Sequence, residues 1–346
     1  MQVWISFGMV VVGLGLGLGL ASITRAAEDD TLLKEARTIF APLPKDMTVA
    51  GRPMTVALVE LGRTLFFDPR ASVDGTTSCA RCHQPALYGA DALAKSHGNH
   101  DRLNGRNAPT VLNTALQVKQ HWSGNREDVE DQATKSLLGP ASFGNPNFDA
   151  PMARLKAIAG YGPMFRAAFP EDANPITPEN WGKAIGAYER TLVSRSRFDQ
   201  FLDGKVDALS PAERQGLRTF IDSGCVACHN GVGVGGGGFR KFGIVEDYWK
   251  ATGSQEIDEG RALDTKKPED KFVFKVPSLR NVAMTGPYFH DGSVGSLETA
   301  VRVMARVQLG VAIGDKEARN IATFLASLTG PLPENFATAP VLPAEH

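Results

Sequence analysis

The stretches Cys-Ala-Arg-Cys-His at residues 79–83 and Cys-Val-Ala-Cys-His at residues 225–229 carry the strongest signal in this chain. Cys-x-x-Cys-His is the attachment sequence for a c-type haem. Two thiols three residues apart lie on one side of a helical turn and can reach both vinyl groups of one porphyrin, and the next histidine then points at the iron. A thioredoxin-like dithiol needs no following histidine, and a zinc site would draw all four cysteines together. The repeated pattern therefore predicts two covalently bound haem c groups, held by Cys79, Cys82, His83, Cys225, Cys228 and His229.

The segments around the two motifs follow one plan. Helical spacing of apolar residues predicts a helix over Met54–Phe67 before the first motif, and Ser210–Glu213 predicts a capped helix start before the second. After each motif and an irregular loop, a further helix is predicted to open at Thr177 or at Asp315. We therefore expect a mainly α fold, made of two cytochrome c-like haem domains with long irregular loops.

Length and charge agree with this division. A chain of 346 residues suits two compact domains, which we place at 28–194 and 195–346. The net charge of −1 gives no electrostatic reason to expect binding to nucleic acid or to an anionic membrane surface.

Residues 1–27 are predicted to be a secretory signal peptide. Val3–Ala21 is apolar or glycine, small and charged residues follow, and cleavage fits after Ala26 or Ala27. No Lys or Arg precedes the apolar run, which is nearly long enough to cross a bilayer, so a retained membrane anchor is the alternative. Either way we expect the folded part to be exported to the periplasm. Since the two motifs use all four cysteines, we expect no disulfide.

Each haem iron needs a second axial ligand or an open position. For the second haem the candidates that follow His229 are Met284 and Met304, and spacing does not choose between them. For the first haem, His97 and His100 lie in a polar loop just after the motif, and such a loop could release the iron to a small molecule. Trp122 falls between the two units in sequence and is either a packing residue or an electron relay.

At this point the motifs resemble, in order, those of the bacterial di-haem cytochrome c peroxidase family, which includes the enzyme that matures tryptophan tryptophylquinone. The similarity runs from about residue 58 to residue 330, which is most of the chain. It rests on both haem motifs, on Trp122, and on the stretches Leu61–Arg70, Arg106–Thr110, Val276–Asn281, Tyr288–Gly292 and Met304–Gly310.

The resemblance implies a role for each haem. His83 would be the proximal ligand of the low-potential haem, where peroxide reacts. His229 and Met304 would be the axial pair of the high-potential haem, which receives electrons, so the resemblance favours Met304 over Met284. Trp122 would be the aromatic bridge between the haems.

The resemblance implies two further features. The detachable histidine of the peroxidatic haem would be His97 or His100. A calcium ion between the domains would be bound by Asn107 and by the main-chain carbonyls of Thr285 and Pro287, oxygen ligands that suit this hard cation.

One departure from the family pattern affects the chemistry. Counting from Trp122 places Ser142 where the peroxidases have a distal glutamate, whose task is to move a proton between the peroxide oxygens. General acid–base help of this kind is worth about 10²–10⁴ in rate, and a serine hydroxyl does not titrate near neutral pH. His97, His100 or His121 could compensate, since imidazole does titrate there.

Three functions follow as hypotheses. The first is a periplasmic peroxidase that reduces hydrogen peroxide with electrons from a small cytochrome c or a cupredoxin. The second is an oxidase of a partner protein's side chains that uses high-valent haem, and it is motivated by Ser142. The third is a di-haem electron carrier without enzymatic activity. Because members of the family are often dimers, the resemblance adds a homodimer as an option.

Overall fold

The computed structural model describes residues 16–345, with side chains from residue 28 onward, so residues 1–15 of the predicted signal peptide lie outside the described part of the chain. Within it the helices are α1 Leu16–Ile39, α2 Val56–Phe67, α3 Cys79–Cys82, α4 Val129–Ser136, α5 Asp149–Ala157, α6 Tyr161–Ala168, α7 Pro178–Glu189, α8 Arg197–Leu202, α9 Pro211–Asp222, α10 Tyr248–Thr252, α11 Ala262–Thr265, α12 Leu297–Met304, α13 Asp315–Ala326 and α14 Glu334–Ala337. Two short strands, β1 Phe239–Lys241 and β2 Val273–Lys275, form one antiparallel pair. The predicted mainly α class with long irregular loops is confirmed.

The first half of the chain is organised by the crossing of α2 and α7. Thr55 caps α2 by accepting a hydrogen bond from the Leu58 main-chain N–H, and Thr177 caps α7 in the same way through Asn180. The two helices approach so closely that a Cβ at Gly62 would lie 1.9 Å from the Ala184 carbonyl oxygen. Only glycine allows this crossing.

The second half repeats the arrangement with α9 and α13. The predicted capping box at Ser210 and Glu213 is present at the start of α9. A Cβ at Gly216 would lie 2.0 Å from the Asn320 carbonyl oxygen and 2.8 Å from the Cβ of Phe324. Each haem motif therefore lies in sequence between two helices that pack across each other at a glycine.

Two large apolar cores surround these crossings. The first contains Leu61, Phe66, Tyr161, Trp181 and other side chains from α2 to α7. The second collects apolar residues of α8, α9 and α13. A smaller aromatic cluster packs beside the β1–β2 pair, built on Phe242, Tyr248, Phe274, Val303 and Val307.

Both ends of the described chain cross to the other half. Leu32, Leu33 and Phe40, in and just after α1, pack into the second core, whereas Phe336 of α14 is fully buried in the first core. Charged contacts reinforce the docking of α1, because Arg214 pairs with Asp29 at 2.7 Å. The two halves are thus held together by exchanged terminal segments as well as by direct contact.

No helix among residues 16–345 combines the length and apolar character required to traverse a bilayer.

Candidate haem sites

The first Cys-x-x-Cys-His motif forms the single turn α3, and His83 ends it. The Nδ1 atom of His83 lies 3.0 Å from the Gly89 carbonyl oxygen, which fixes the ring as a donor at Nδ1 and leaves Nε2 free to bind a metal. Burial lowers the pKa of His83, so the imidazole is neutral, as a ligand must be. Burial also raises the pKa of both Cys79 and Cys82, which keeps them as neutral thiols.

The second motif is built in the same way on a short 3-10 turn, Cys225–Ala227. His229 is buried, and its Nδ1 lies 3.4 Å from the Val234 carbonyl oxygen. Burial lowers the pKa of His229 to about 4 and raises that of Cys225 to about 11. The two motifs therefore present the same chemistry, a neutral imidazole with a free Nε2 beside two cysteine side chains.

A cavity opens beside the second motif. Its lining includes the cysteine sulfurs of the motif and the sulfur of a methionine that could bind the haem iron. Cys225, Cys228 and His229 line it together with Met304. Its apolar lining comes from α9, α12, α13 and the loop between β2 and α12, and includes Phe220, Leu279, Val282, Leu297, Val301, Ile321 and Leu325. An apolar cavity that offers two thiols and a histidine Nε2 fits a haem.

Met304 and Met284, which spacing left undecided, differ in their surroundings. Met304 is the last residue of α12 and packs against the aromatic cluster inside the cavity. A single turn of π-helix, Ala305–Leu309, follows it, a feature often found at functional sites. Met284 is 47% exposed and does not line the cavity. A thioether ligand for the second haem is therefore available from Met304.

Trp122 and the three predicted calcium ligands line the same cavity. The indole Nε1 of Trp122 donates to the Asn107 carbonyl oxygen at 3.0 Å, and the Asn107 main-chain N–H donates to the His290 carbonyl oxygen at 2.8 Å. The Asn107 side-chain nitrogen donates to Leu93, which leaves its Oδ1 as a free acceptor. Thr285 and Pro287 also border the cavity.

The acidic side chains of the described residues do not form a metal-binding cluster. Among residues 16–345, no group of three or more His, Cys, Asp or Glu side chains is arranged to hold a metal ion. A calcium ion would therefore depend on neutral oxygens such as those of Asn107, Thr285 and Pro287.

His97 and His100 are both at the surface of their loop. The side chain of His97 is 42% exposed, with Nδ1 3.0 Å from an Asp101 carboxylate oxygen, and that of His100 is 58% exposed beside Asp74. The loop is also held by its main chain, because the His100 N–H donates to Asp74 at 2.6 Å. The geometry does not choose between the two histidines.

Ser142 lies against this loop, and its hydroxyl is hydrogen-bonded to main-chain carbonyl oxygens. Its Oγ donates to the Ser136 carbonyl oxygen at 2.7 Å and contacts that of Gly139 at 3.2 Å. The buried Asn99 side chain joins the two loops, because its Nδ2 donates to the Pro140 and Ser142 carbonyl oxygens at 2.7 and 3.0 Å. The position that would carry a distal carboxylate is thus occupied by a hydroxyl already committed to hydrogen bonds.

Three buried residues near the motifs carry titratable side chains. Lys275 lines the cavity and is only 5% exposed. His290 is 2% exposed and stacks on Phe274 with ring centroids 4.4 Å apart. Glu189, at the end of α7, is buried, and its burial together with nearby Glu130 raises its pKa to about 8. Lys275 and Glu189 were not predicted, because composition does not distinguish a buried charge from an exposed one. The only signal was that Lys275 adjoins the matched stretch Val276–Asn281, whereas His290 lies within the matched stretch Tyr288–Gly292.

Comparison with known proteins agrees with the geometry. A family model described as di-haem cytochrome c peroxidase matches residues 56–207. The chain is 39% identical to cytochrome c551 peroxidase of Pseudomonas aeruginosa over 330 residues, which are 94% of this chain and 93% of that one. It is 37% identical to cytochrome c551 peroxidase of Nitrosomonas europaea, over 91% of this chain and 92% of that one.

Similarity extends to solved structures. A MauG-like protein associated with microbial copper homeostasis has a TM-score of 0.73 and 28% identity, over 86% of this chain and 95% of that one. Because relatives above 30% identity cover almost the whole chain, fold and family are both shown. The chain therefore belongs to the di-haem cytochrome c peroxidase family and is an oxidoreductase of the peroxidase type.

Proposed function

We propose that this protein reduces hydrogen peroxide to water in the periplasm, with two electrons from a small cytochrome c or a cupredoxin and two protons from solvent. The observation that carries the proposal is one apolar cavity that contains Cys225, Cys228, His229 and Met304 and continues to Trp122. A thioether and an imidazole on one iron favour a high potential. That haem suits electron entry, and the His83 site is left for peroxide.

The chain's own residues have separate tasks in this proposal. When bound, the two haems supply electron storage and the reduction of the O–O bond. His83 and His229 would hold the irons through Nε2, and the Gly89 and Val234 carbonyl oxygens near Nδ1 would orient the two rings. Trp122, whose indole Nε1 donates to the Asn107 carbonyl oxygen, would couple the two haems.

Further assignments accompany this proposal, and they concern haem attachment, the domain bounds, export and calcium binding. We propose thioether attachment at both motifs, haem units at residues 28–194 and 195–346, and an exported protein whose signal peptide, residues 1–27, is removed. We also propose one calcium ion on Asn107, Thr285 and Pro287. The choice between His97 and His100 as the detachable ligand is tested by comparing the oxidised spectra of H97A and H100A.

Steady-state oxidation of a reduced small cytochrome c by hydrogen peroxide tests the proposal. We expect the holoprotein to turn over well above free haem, and a rate no higher than free haem would overturn the peroxidase function. A half-reduced protein whose two haems both stay six-coordinate would instead favour a plain electron carrier.

The lost carboxylate can be tested by restoring it. Ser142→Glu supplies a titratable group and is expected to raise the peroxide-dependent rate by about 10²–10⁴, the usual contribution of general acid–base catalysis. Ser142→Gln, of the same size but without a titratable proton, is the matched control and is expected to give no gain.

A second candidate function is oxidation of side chains in a partner protein. It is favoured by Ser142, whose hydroxyl is committed to the carbonyl oxygens of Ser136 and Gly139 and cannot take a proton near neutral pH. Mass spectrometry of co-expressed periplasmic proteins, with and without the holoprotein, tests it. A partner residue oxidised only with the holoprotein would support this function, and no such residue would remove it.

A further inference from the structure

The cavity beside the second motif has an uneven charge. Four basic side chains line it, whereas no Asp or Glu is among the described residues of its lining. The four are Arg240, Lys241, Lys275 and Arg280. A cavity lined in this way favours an anionic group.

Only one of these cations is both buried and without an acidic partner. Arg280 is buried but pairs with Asp199 at 3.0 Å. Arg240 and Lys241 lie on β1 and are exposed. Lys275 is 5% exposed and makes no ion pair with any described carboxylate.

The contacts of Lys275 hold it at the cavity without neutralising it. Its Nζ donates to the amide oxygen of Gln117, a neutral acceptor, and its main-chain N–H donates to the Trp122 carbonyl oxygen at 2.8 Å. Burial lowers the pKa of Lys275 to about 7. A buried ammonium without a counter-charge is costly, so a bound anion is expected to complete the site.

We propose that Lys275 binds a propionate carboxylate of the haem held by His229 and Met304, and that its proton is coupled to the electron on that haem. This inference rests on the proposed haem site and deepens it. The haem is the anion that we expect in this cavity, because the two thiols that would attach it and the ligands of its iron line the same cavity.

The coupling has a definite sign. A positive charge beside the haem stabilises the reduced form, so the reduction potential is high while Lys275 is protonated and falls as pH rises through its pKa. Burial alone lowers the pKa of Lys275 to about 7, and the carboxylate raises it from that value. We therefore expect the fall between about pH 7 and pH 10.

The neighbouring groups do not account for such a transition. Burial lowers the pKa of His121 to about 4 and also lowers that of His290, so both are neutral throughout this range. The guanidinium groups of Arg240 and Arg280 stay charged. The Lys241 side chain on β1 is exposed, and its Nζ lies 6.0 Å from the centroid of the Phe272 ring.

Equilibrium redox titration of the purified holoprotein from pH 6 to pH 10 tests the inference. In K275M we expect the Met304-ligated haem to lose its pH-dependent fall and to stay at the low potential of the wild-type protein at high pH. In K275R we expect the fall to disappear as well, with the potential held at the high value. K250M, at an exposed lysine of α10, is the matched control and is expected to behave as wild type.

The outcomes separate this inference from the proposed function. A haem count below two per wild-type chain would sink the haem assignment itself. Two haems with a wild-type potential that does not change over this pH range, or with a K275M shift confined to the other haem, would overturn only the role of Lys275. If K275M does not fold, K275R alone decides, because retention of the pH-dependent fall in that variant contradicts the inference.

Discussion

The buried ion pair between Asp199 and Arg280 allows a quantitative test of how the second haem cavity is held. Both side chains are fully buried, with Asp199 Oδ2 3.0 Å from Arg280 Nη1. The carboxylate also accepts from the Leu43 main-chain N–H at 2.7 Å and from the Ser196 main-chain N–H at 2.6 Å. It therefore ties the segment after α1, the start of α8 and a cavity-lining arginine together.

We predict that Asp199→Asn lowers the free energy of unfolding by about 3 kcal/mol. Removing one partner of a buried ion pair costs about 3–5 kcal/mol, because the other charge is left uncompensated. The lower end applies here, since Arg280 keeps the carbonyl oxygens of Val232, at 2.9 and 3.1 Å, and of Ala41, at 3.3 Å. Asparagine keeps the size of the side chain but has one acceptor oxygen instead of two, so the loss reports the charge together with the hydrogen bonds that it accepts.

Urea unfolding of the holoprotein, followed by far-ultraviolet circular dichroism, measures this loss. Asp203→Asn is the control, because its pair with Arg195 is at the surface and such pairs contribute about 0–1 kcal/mol. The double variant D199N/R280M is expected to lose less than the sum of its single variants. A D199N loss below about 1 kcal/mol, or additivity within about 0.5 kcal/mol, would refute the reasoning.

Other predictions concern the helix crossing, the axial ligand and a buried acid. Gly216→Ala places a Cβ 2.0 Å from a carbonyl oxygen of α13 and should destabilise the fold by about 1–3 kcal/mol in urea unfolding, whereas Gly237→Ala, with open space around it, should not. Met304→Ala should remove the methionine–iron absorption band of the oxidised protein and lower one haem potential, and Met284→Ala should leave both unchanged; the reverse would contradict the ligand assignment. Burial and a neighbouring carboxylate raise the pKa of Glu189 to about 8, so its contribution to stability is present below about pH 4.5 and is lost as pH rises through 8. Glu189→Gln should therefore unfold at higher urea than wild type at pH 8.5 but not at pH 4.5, and equal midpoints at both pH values would disprove this.

Local signals in the sequence predicted much of the fold. The helix starts at Thr177 and Ser210 were predictable because a capping side chain, a proline and an acidic residue act within one turn. The haem motifs were predictable because the spacing of the two cysteines and the histidine is set by one reaction, the attachment of a haem through two thioether bonds. The same holds for the apolar stripe of α2, whose buried residues face a single core.

Long-range features could not be predicted in this way. The glycines at 62 and 216 look ordinary in sequence, and only the crossing helix gives them a role. The docking of α1 on the second core and of Phe336 in the first depends on where the chain ends fall in space. Lys275 became informative only when the structure placed it in the cavity lining, without an ion pair to any carboxylate of the described residues.

The most direct test of the central claim is the haem content of the purified chain. Denatured protein is measured by intact mass spectrometry and by pyridine haemochrome absorbance. We predict a mass increase of two haems per chain that survives denaturation, falling to one haem when Cys225 and Cys228 are both replaced by alanine. One haem or none on the wild-type chain, or haem that is released on denaturation, would contradict the account.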